Sequence, residues 1–215
     1  MNKTYKMNRI ATFTLIVLLM LPSVGFCQDL SAWGPDTLEL ANTAKNVAYL
    51  SSEEKKVIQL MNLARISSKS FLERVAKPYV QKNELDLDED VTSLYKELQK
   101  TAGLHVIDPH EKLSQSAAHH AHDMGHKGLF GHESSDGTTH IARIHRYHKR
   151  DKMDESLVYG YNEAVDIVMQ LLLDEAIALR TNRSHILAPH FHHAGVSIKA
   201  HKVYEFNCVI DYSSH

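Results

Sequence analysis

The hydrophobic pattern of the chain has two regimes. From residue 51 to about residue 175 apolar side chains recur every three or four positions, and beyond Pro189 they alternate. In "SSEEKKVIQLMNLARISS", Ser51 and Glu54 form a capping box ahead of Val57, Leu60, Met61 and Ala64, which predicts a helix. "SKSFLERVAKPYV" predicts a second, short helix that stops near Pro78. "KNELDLDED" reads as an exposed acidic loop, and "VTSLYKELQKTAG" as a helix ending at Gly103. Asp108-Pro109 opens a further helix in which Leu113, Ala117, Ala121 and Met124 share one face; His119, His122 and His126 fall opposite, and His120 lies at the edge of the stripe. "GLFGHESSDGTTH" is punctuated by Gly128, Gly131 and Asp136-Gly137 and predicts a turn-rich loop. The strongest helical signal is "YNEAVDIVMQLLLDEAIAL", with Ala164, Ile167, Val168, Leu171 and Leu172 in a wide apolar stripe. "AGVSIKA" and "VYEFNCVID" then predict two strands joined through His201-Lys202. Helices followed by a short antiparallel sheet predict an α+β domain.

The N-terminus follows a different logic. Lys3, Lys6 and Arg9 precede the apolar run "IATFTLIVLLMLPSVGF", which Pro22 keeps shorter than a membrane span. Gly25 and Cys27 are small residues placed for cleavage before Gln28, so residues 1–27 are expected to be a signal peptide. A lipoprotein anchored through Cys27 is the alternative, disfavoured by the bulky Phe26. Residues 28–49 read as a leader or linker and residues 50–213 as the domain. The expected location is secreted or periplasmic, with no transmembrane span after cleavage.

Charge and composition narrow the partners. The formal net charge is −2, and without Lys3, Lys6 and Arg9 the 21 remaining cations face 26 carboxylates. No basic excess points to nucleic acid. After cleavage Cys208 would be the remaining cysteine, so the core rather than a disulfide must hold the fold. All 16 histidines lie beyond position 100. His132-Glu133 lacks the second histidine of a His-Glu-x-x-His helix, because Ser134-Ser135-Asp136-Gly137 is turn chemistry. His119, His122 and His126 have a spacing that suits a metal, but on an outward face they read as solvated side chains; "HFHH" at 190–193 reads the same way. Glu155, ahead of the long helix, and Asn182, Arg183 and His185, after it, are expected in flanking loops that can converge with the His132 loop.

In sequence, the stretches "EKKVIQLMNLAR", "LSQSAAHHAHDMGHKGLFGHESSDG", "DESLVYGYNEAVDIVMQLLLDEAIALRTNRSHILAPHF", "AGVSIKAH" and "CVIDYS" resemble the cysteine-rich secretory, antigen and plant pathogenesis-related (CAP, or SCP-like) superfamily, in its bacterial branch. The resemblance implies an α-β-α sandwich with a central antiparallel sheet flanked by helices, and a cleft lined by two histidines and two acidic residues. The first histidine matches His132, and the glutamate of the family's Gly-Glu-Asn stretch matches Glu155 within Asp154-Glu155-Ser156. Asn182 replaces the second histidine; Asp174 or Glu175 is nearest to the second acidic position, and His185 is a substitute that would reach back if its segment is helical. A carboxamide is a poor metal ligand and does not titrate near neutrality, so two-histidine metal binding is weakened.

These residues support an expected function as an exported, non-catalytic binding domain for an envelope lipid, glycan or protein ligand, through a degenerate cleft of His132, Glu155, Asn182, Asp174 and His185. No cofactor is required on this reading. One alternative is a peptidase-like hydrolase in which His132 and Glu155 activate water, with zinc as a possible cofactor held through His132. A second alternative is a histidine-rich metal-binding protein.

Overall fold

The computed structural model describes residues 33–101, 103–174 and 181–215. The expected signal peptide, Cys27 and Glu175 lie outside the described residues, and so does the run from 175 to 180 into which the long helix was expected to continue.

The chain forms an α-β-α sandwich. Its sheet has the order β1-β3-β4-β2, built from β1 (Asp108–Pro109), β2 (Met153–Tyr159), β3 (His193–His201) and β4 (Glu205–Ser213). The three long strands are antiparallel, with Glu155 opposite Asp211 and Val196 opposite Ile210; the two-residue β1 adds a parallel pair beside His193 and Ala194. Both predicted strands at the C-terminal end form. Asp108-Pro109 is a strand, not a helix start, and Glu155 stands on β2, not in a loop.

Period-2 alternation sorts the sheet residues between two helical layers. On one side Cys208, Ile210, Tyr212, Ala194 and Val196 join the main core with α2 (Ser52–Ile66), α8 (Ala164–Leu173) and α9 (Thr181–Leu187). The capping box at the start of α2 forms, and the second Glu54 oxygen accepts the Ile198 amide at 2.8 Å, which ties the helix to β3. Pro35–Ala41 is a helix (α1), and Trp33, Ala41 and Ala44 are buried in this core, so the described part of the segment expected as a leader, residues 33–49, docks on the domain. Burial pushes the Cys208 thiol far above its ordinary pKa.

On the other side lies α6 (Glu111–Lys127), packed along β3 and β4. Two glycines permit this approach. A Cβ on Gly125 would stand 2.2 Å from the Ala200 carbonyl oxygen, and one on Gly195 would stand 2.0 Å from the backbone of Leu113 and Ser114. His119, His122 and His126 are exposed, as the helical pattern predicts, and His120 is buried. Two short helices, α3 (Ser68–Phe71) and α4 (Lys77–Lys82), flank a π-helical turn at Leu72–Ala76; the helical run passes through Pro78, because a proline in a first turn needs no amide partner. Between them and α6 runs α5 (Glu89–Lys100), capped by Asp88. After α6, Thr139 caps α7 (His140–Tyr147). Helix α8 ends at Leu173 on the left-handed Asp174. No helix among the described residues is long and apolar enough to cross a membrane.

Candidate functional site

The site forms where β2, the loop after α6 and the start of α7 meet. Odd-numbered residues of β2 face α6, so Glu155 projects into the layer between sheet and helix and is 1% exposed. Its Oε1 lies 2.9 Å from His132 Nδ1, and its Oε2 accepts from the Arg143 guanidinium. An ionised carboxylate only accepts, so His132 donates from Nδ1 and keeps Nε2 outward. Arg143 is fully buried and also donates to the His132 carbonyl at 3.1 Å and to Ser134 Oγ at 2.9 Å. The guanidinium therefore fixes both members of the pair. The i, i+3 spacing puts His140 on the same face of α7 as Arg143, and its ring centroid lies 5.4 Å from that of His132.

Two further buried groups close the corner from behind. His120 donates from Nε2 to the Gly131 carbonyl at 3.0 Å, and the same nitrogen is 4.0 Å from Glu155. Asp211, across the β2–β4 pair from Glu155, is fully buried beside the Ser116 hydroxyl and the Glu155 carboxyl. Burial first, and then the Glu155 charge, raise the Asp211 carboxyl well above the carboxylate range, so it is neutral beside an ionised neighbour. Burial acts the same way on Glu155, but the His132 hydrogen bond and the Arg143 charge outweigh it and hold this carboxyl below its ordinary value. His120 is shifted down by burial, as is His140, where burial outweighs the opposing Glu155 charge.

The remaining expected cleft residues make separate contacts. Asp174 accepts from the Asn182 amide at 2.9 Å, from Asn182 Nδ2 at 2.8 Å and from the Arg183 amide at 3.3 Å. This carboxylate serves the first turn of α9, and the Asn182 carboxamide is its partner. His185 is on α9 but reaches Asp154 at 3.2 Å and Ser156 Oγ at 3.1 Å rather than the His132–Glu155 pair. Asp154 in turn is 3.8 Å from His140. Its carboxyl is held low by the His185 hydrogen bond, against the opposing effect of burial.

Asp154 also lines an open groove of about 760 Å³ between α7, the start of β2 and the 190–191 turn. Ile141, Met153 and Phe191 supply apolar surface, and Lys149, Arg150 and Lys152 are exposed on its rim. Arg65 sets the far wall. Fully buried on α2, it donates to the carbonyls of Ile186 at 2.6 Å, Ala188 at 2.8 Å and Phe191 at 3.0 Å.

Sequence reasoning located His132 and Glu155 and missed Arg143, His140, Asp154 and Asp211. For Arg143 and His140 the signal was present: "TTHIARIHRY" is a capped amphipathic helix that carries both on one face. Asp211 sits at an inward position of an alternating strand, where a carboxylate is itself a signal.

A search of curated proteins finds no match to the chain. Among solved structures, an extracellular protein of Bacillus anthracis containing an SCP domain superposes with a TM-score of 0.50 at 14% identity, over 85% of this chain and 44% of that one. The chain thus spans less than half of that protein. An outer surface protein of Borrelia burgdorferi matches 61% of this chain and 97% of its own at 19% identity, TM-score 0.44. A cysteine-rich secretory protein of Staphylococcus aureus matches 60% of this chain and 40% of its own at 14% identity, TM-score 0.39. The signature of the cysteine-rich secretory protein family covers residues 58–212. With most of its length inside that match, the chain belongs to the CAP family.

Proposed function

We propose that the chain is an exported binding domain that holds an anionic envelope ligand without turning it over. One observation carries the reading: both oxygens of Glu155 are engaged inside the protein, one by His132 and one by Arg143. A general base needs a free oxygen within reach of a water or a substrate. The position that would carry a second histidine holds Asn182, whose carboxamide is spent on Asp174, which removes a second proton carrier. The ligand lies in the open groove beside Asp154, where Lys149, Arg150 and Lys152 face its charge and Ile141, Met153 and Phe191 its apolar part. Native mass spectrometry of protein recovered from its own cells tests this. The expected result is an adduct released intact on denaturation, absent from the Lys149→Glu/Lys152→Glu variant and retained in His132→Ala. Turnover of the released molecule by the wild type, abolished in Glu155→Gln, overturns the non-catalytic reading.

A second reading rests on a separate observation. His132, His140 and Glu155 each offer a ligand atom, and these atoms lie within 4.8 Å of one another. Two imidazoles and a carboxylate are a donor set that fits zinc. His140 would then replace the histidine lost at 182. Bound there, zinc would supply a Lewis acid, while the chain's own contribution is the Arg143 clamp that fixes Glu155. Zinc titration of the wild type, His132→Ala, His140→Ala and a His119/His122/His126 triple variant decides the matter. Binding of one equivalent that both single changes abolish and the triple change leaves intact supports the corner site, whereas loss in the triple variant alone assigns the metal to the outer face of α6.

A further inference from the structure

Seven large apolar side chains are exposed among the described residues, and four of them stand at one corner of the molecule: Leu129 at 43%, Phe130 at 72%, Val203 at 65% and Tyr204 at 42%. The first two belong to the Gly128–Gly131 loop after α6, the other two to the β3–β4 turn. These tips are locked together. Lys202 donates its amide to the Gly125 carbonyl at 3.0 Å, and a Cβ on Gly128 would stand 3.2 Å from Val203 Cγ2. His201 Nδ1 accepts the amides of Val203 and Tyr204 at 3.1 and 3.2 Å, so its proton is on Nε2, which donates to the Leu129 carbonyl at 2.8 Å. Tyr159 spans both tips: its hydroxyl accepts the Gly131 amide at 3.0 Å and its ring lies 5.3 Å from that of Tyr204.

A loop tied down on both sides of Phe130 by these hydrogen bonds does not expose it through looseness. The fold holds these side chains outward, where each forgoes the free energy of burial. We propose that the two tips form a docking surface for a lipid bilayer, inserting Leu129, Phe130, Val203 and Tyr204 at the level of the headgroups. Two features favour a bilayer over a second protein. The exposed side-chain area is about 400 Å², roughly half of what one side of a stable protein interface provides. The tips also carry the mix suited to a headgroup layer: aliphatic and aromatic surface, a tyrosine with a polar end, and the exposed Lys202 at the margin to meet anionic lipid, whereas nearby Lys127 is paired with Asp123 at 2.9 Å. Gly131 leads directly into His132, so this surface is continuous with the site but shares no residue with the groove.

A Phe130→Trp variant gives a local readout, because the native Trp33 is buried at 6% exposure. The expected result with phosphatidylcholine vesicles containing one-fifth phosphatidylglycerol is a blue-shifted emission, with weaker binding to phosphatidylcholine alone. In flotation, Phe130→Ser/Val203→Ser is expected to bind these vesicles about tenfold or more weakly than wild type, with unchanged thermal unfolding. Unshifted emission at saturating lipid, or equal flotation of the double variant, overturns the proposal. Concentration-dependent dimerisation that the double variant abolishes also overturns it, and makes the corner a contact between copies.

Discussion

Arg143 is the residue whose removal tests the architecture of the site most directly. The Arg143→Met substitution keeps the length and apolar stem of the side chain and deletes its charge, leaving a 1%-exposed carboxylate with His132 as its hydrogen-bond partner. It also removes donors to the His132 carbonyl and to Ser134 Oγ. Breaking a buried ion pair by removing one partner costs about 3–5 kcal/mol, mainly because the stranded charge stays desolvated. For a domain of this size that corresponds to a loss of roughly 6–20 °C in Tm. Urea unfolding of wild type, Arg143→Met, Glu155→Gln and the double variant forms a complete cycle. Glu155→Gln neutralises the anion, so the double variant is expected to be less destabilised than the sum of the single changes, with a coupling of about 2 kcal/mol or more. A cost below about 1 kcal/mol for Arg143→Met, or strict additivity, would show that Glu155 does not depend on this guanidinium, and the account of the site would fail with it.

Other expectations follow from the packing and the histidines. The ring of His148, at the end of α7, lies tilted with its centroid 4.1 Å from that of His110, and the residue is buried at 9% exposure; burial, then His110, Arg150 and His193, lower its pKa from 6.5 to about 4. The unfolded chain therefore takes up this proton first on acidification. The stabilisation is fully present above pH 6.5 and is lost as pH falls towards 4. The loss is about 1–2 kcal/mol once solvent screening is allowed for, and thermal melts of His148→Gln should show a flatter acid limb than wild type. Gly195→Ala places a Cβ 2.0 Å from the α6 backbone and should lower stability by about 3 kcal/mol or more, read as a lower Tm; a neutral effect would mean that α6 and β3 are not in close contact.

Much of this fold can be read from local signals. The capping box at Ser51, the apolar face of α6 and the alternation from Tyr204 to Ile210 each specify an element through its nearest neighbours in the chain. β2 is harder to read. In "MDESLVY" the inward position 155 is a glutamate, so the alternation that marks a strand is broken by the residue that makes the site. Arg143 and Asp211 each carry a local signal, but not their role in the site: their burial depends on one another and on Glu155, three residues distant in sequence whose mutual compensation no local window contains. His185 shows the opposite failure. Its helix forms as the expectation required, but the contacts of α9 with β2 aim the ring at Asp154 and Ser156. The histidine excess gains a partial account. Ring contacts link His105, His192, His215, His193, His110 and His148 into one continuous array around the start of β3, so these imidazoles pack as much as they face water.

Cys208, sealed between the sheet and α2, has a consequence for handling the molecule. Its sulfur meets reagents only when the sandwich parts, so the rate at which a thiol-specific dye labels Cys208 in the native protein, read separately from Cys27, measures how often the two layers separate. The chain thus carries its own clock for whole-domain opening, readable without any engineered probe.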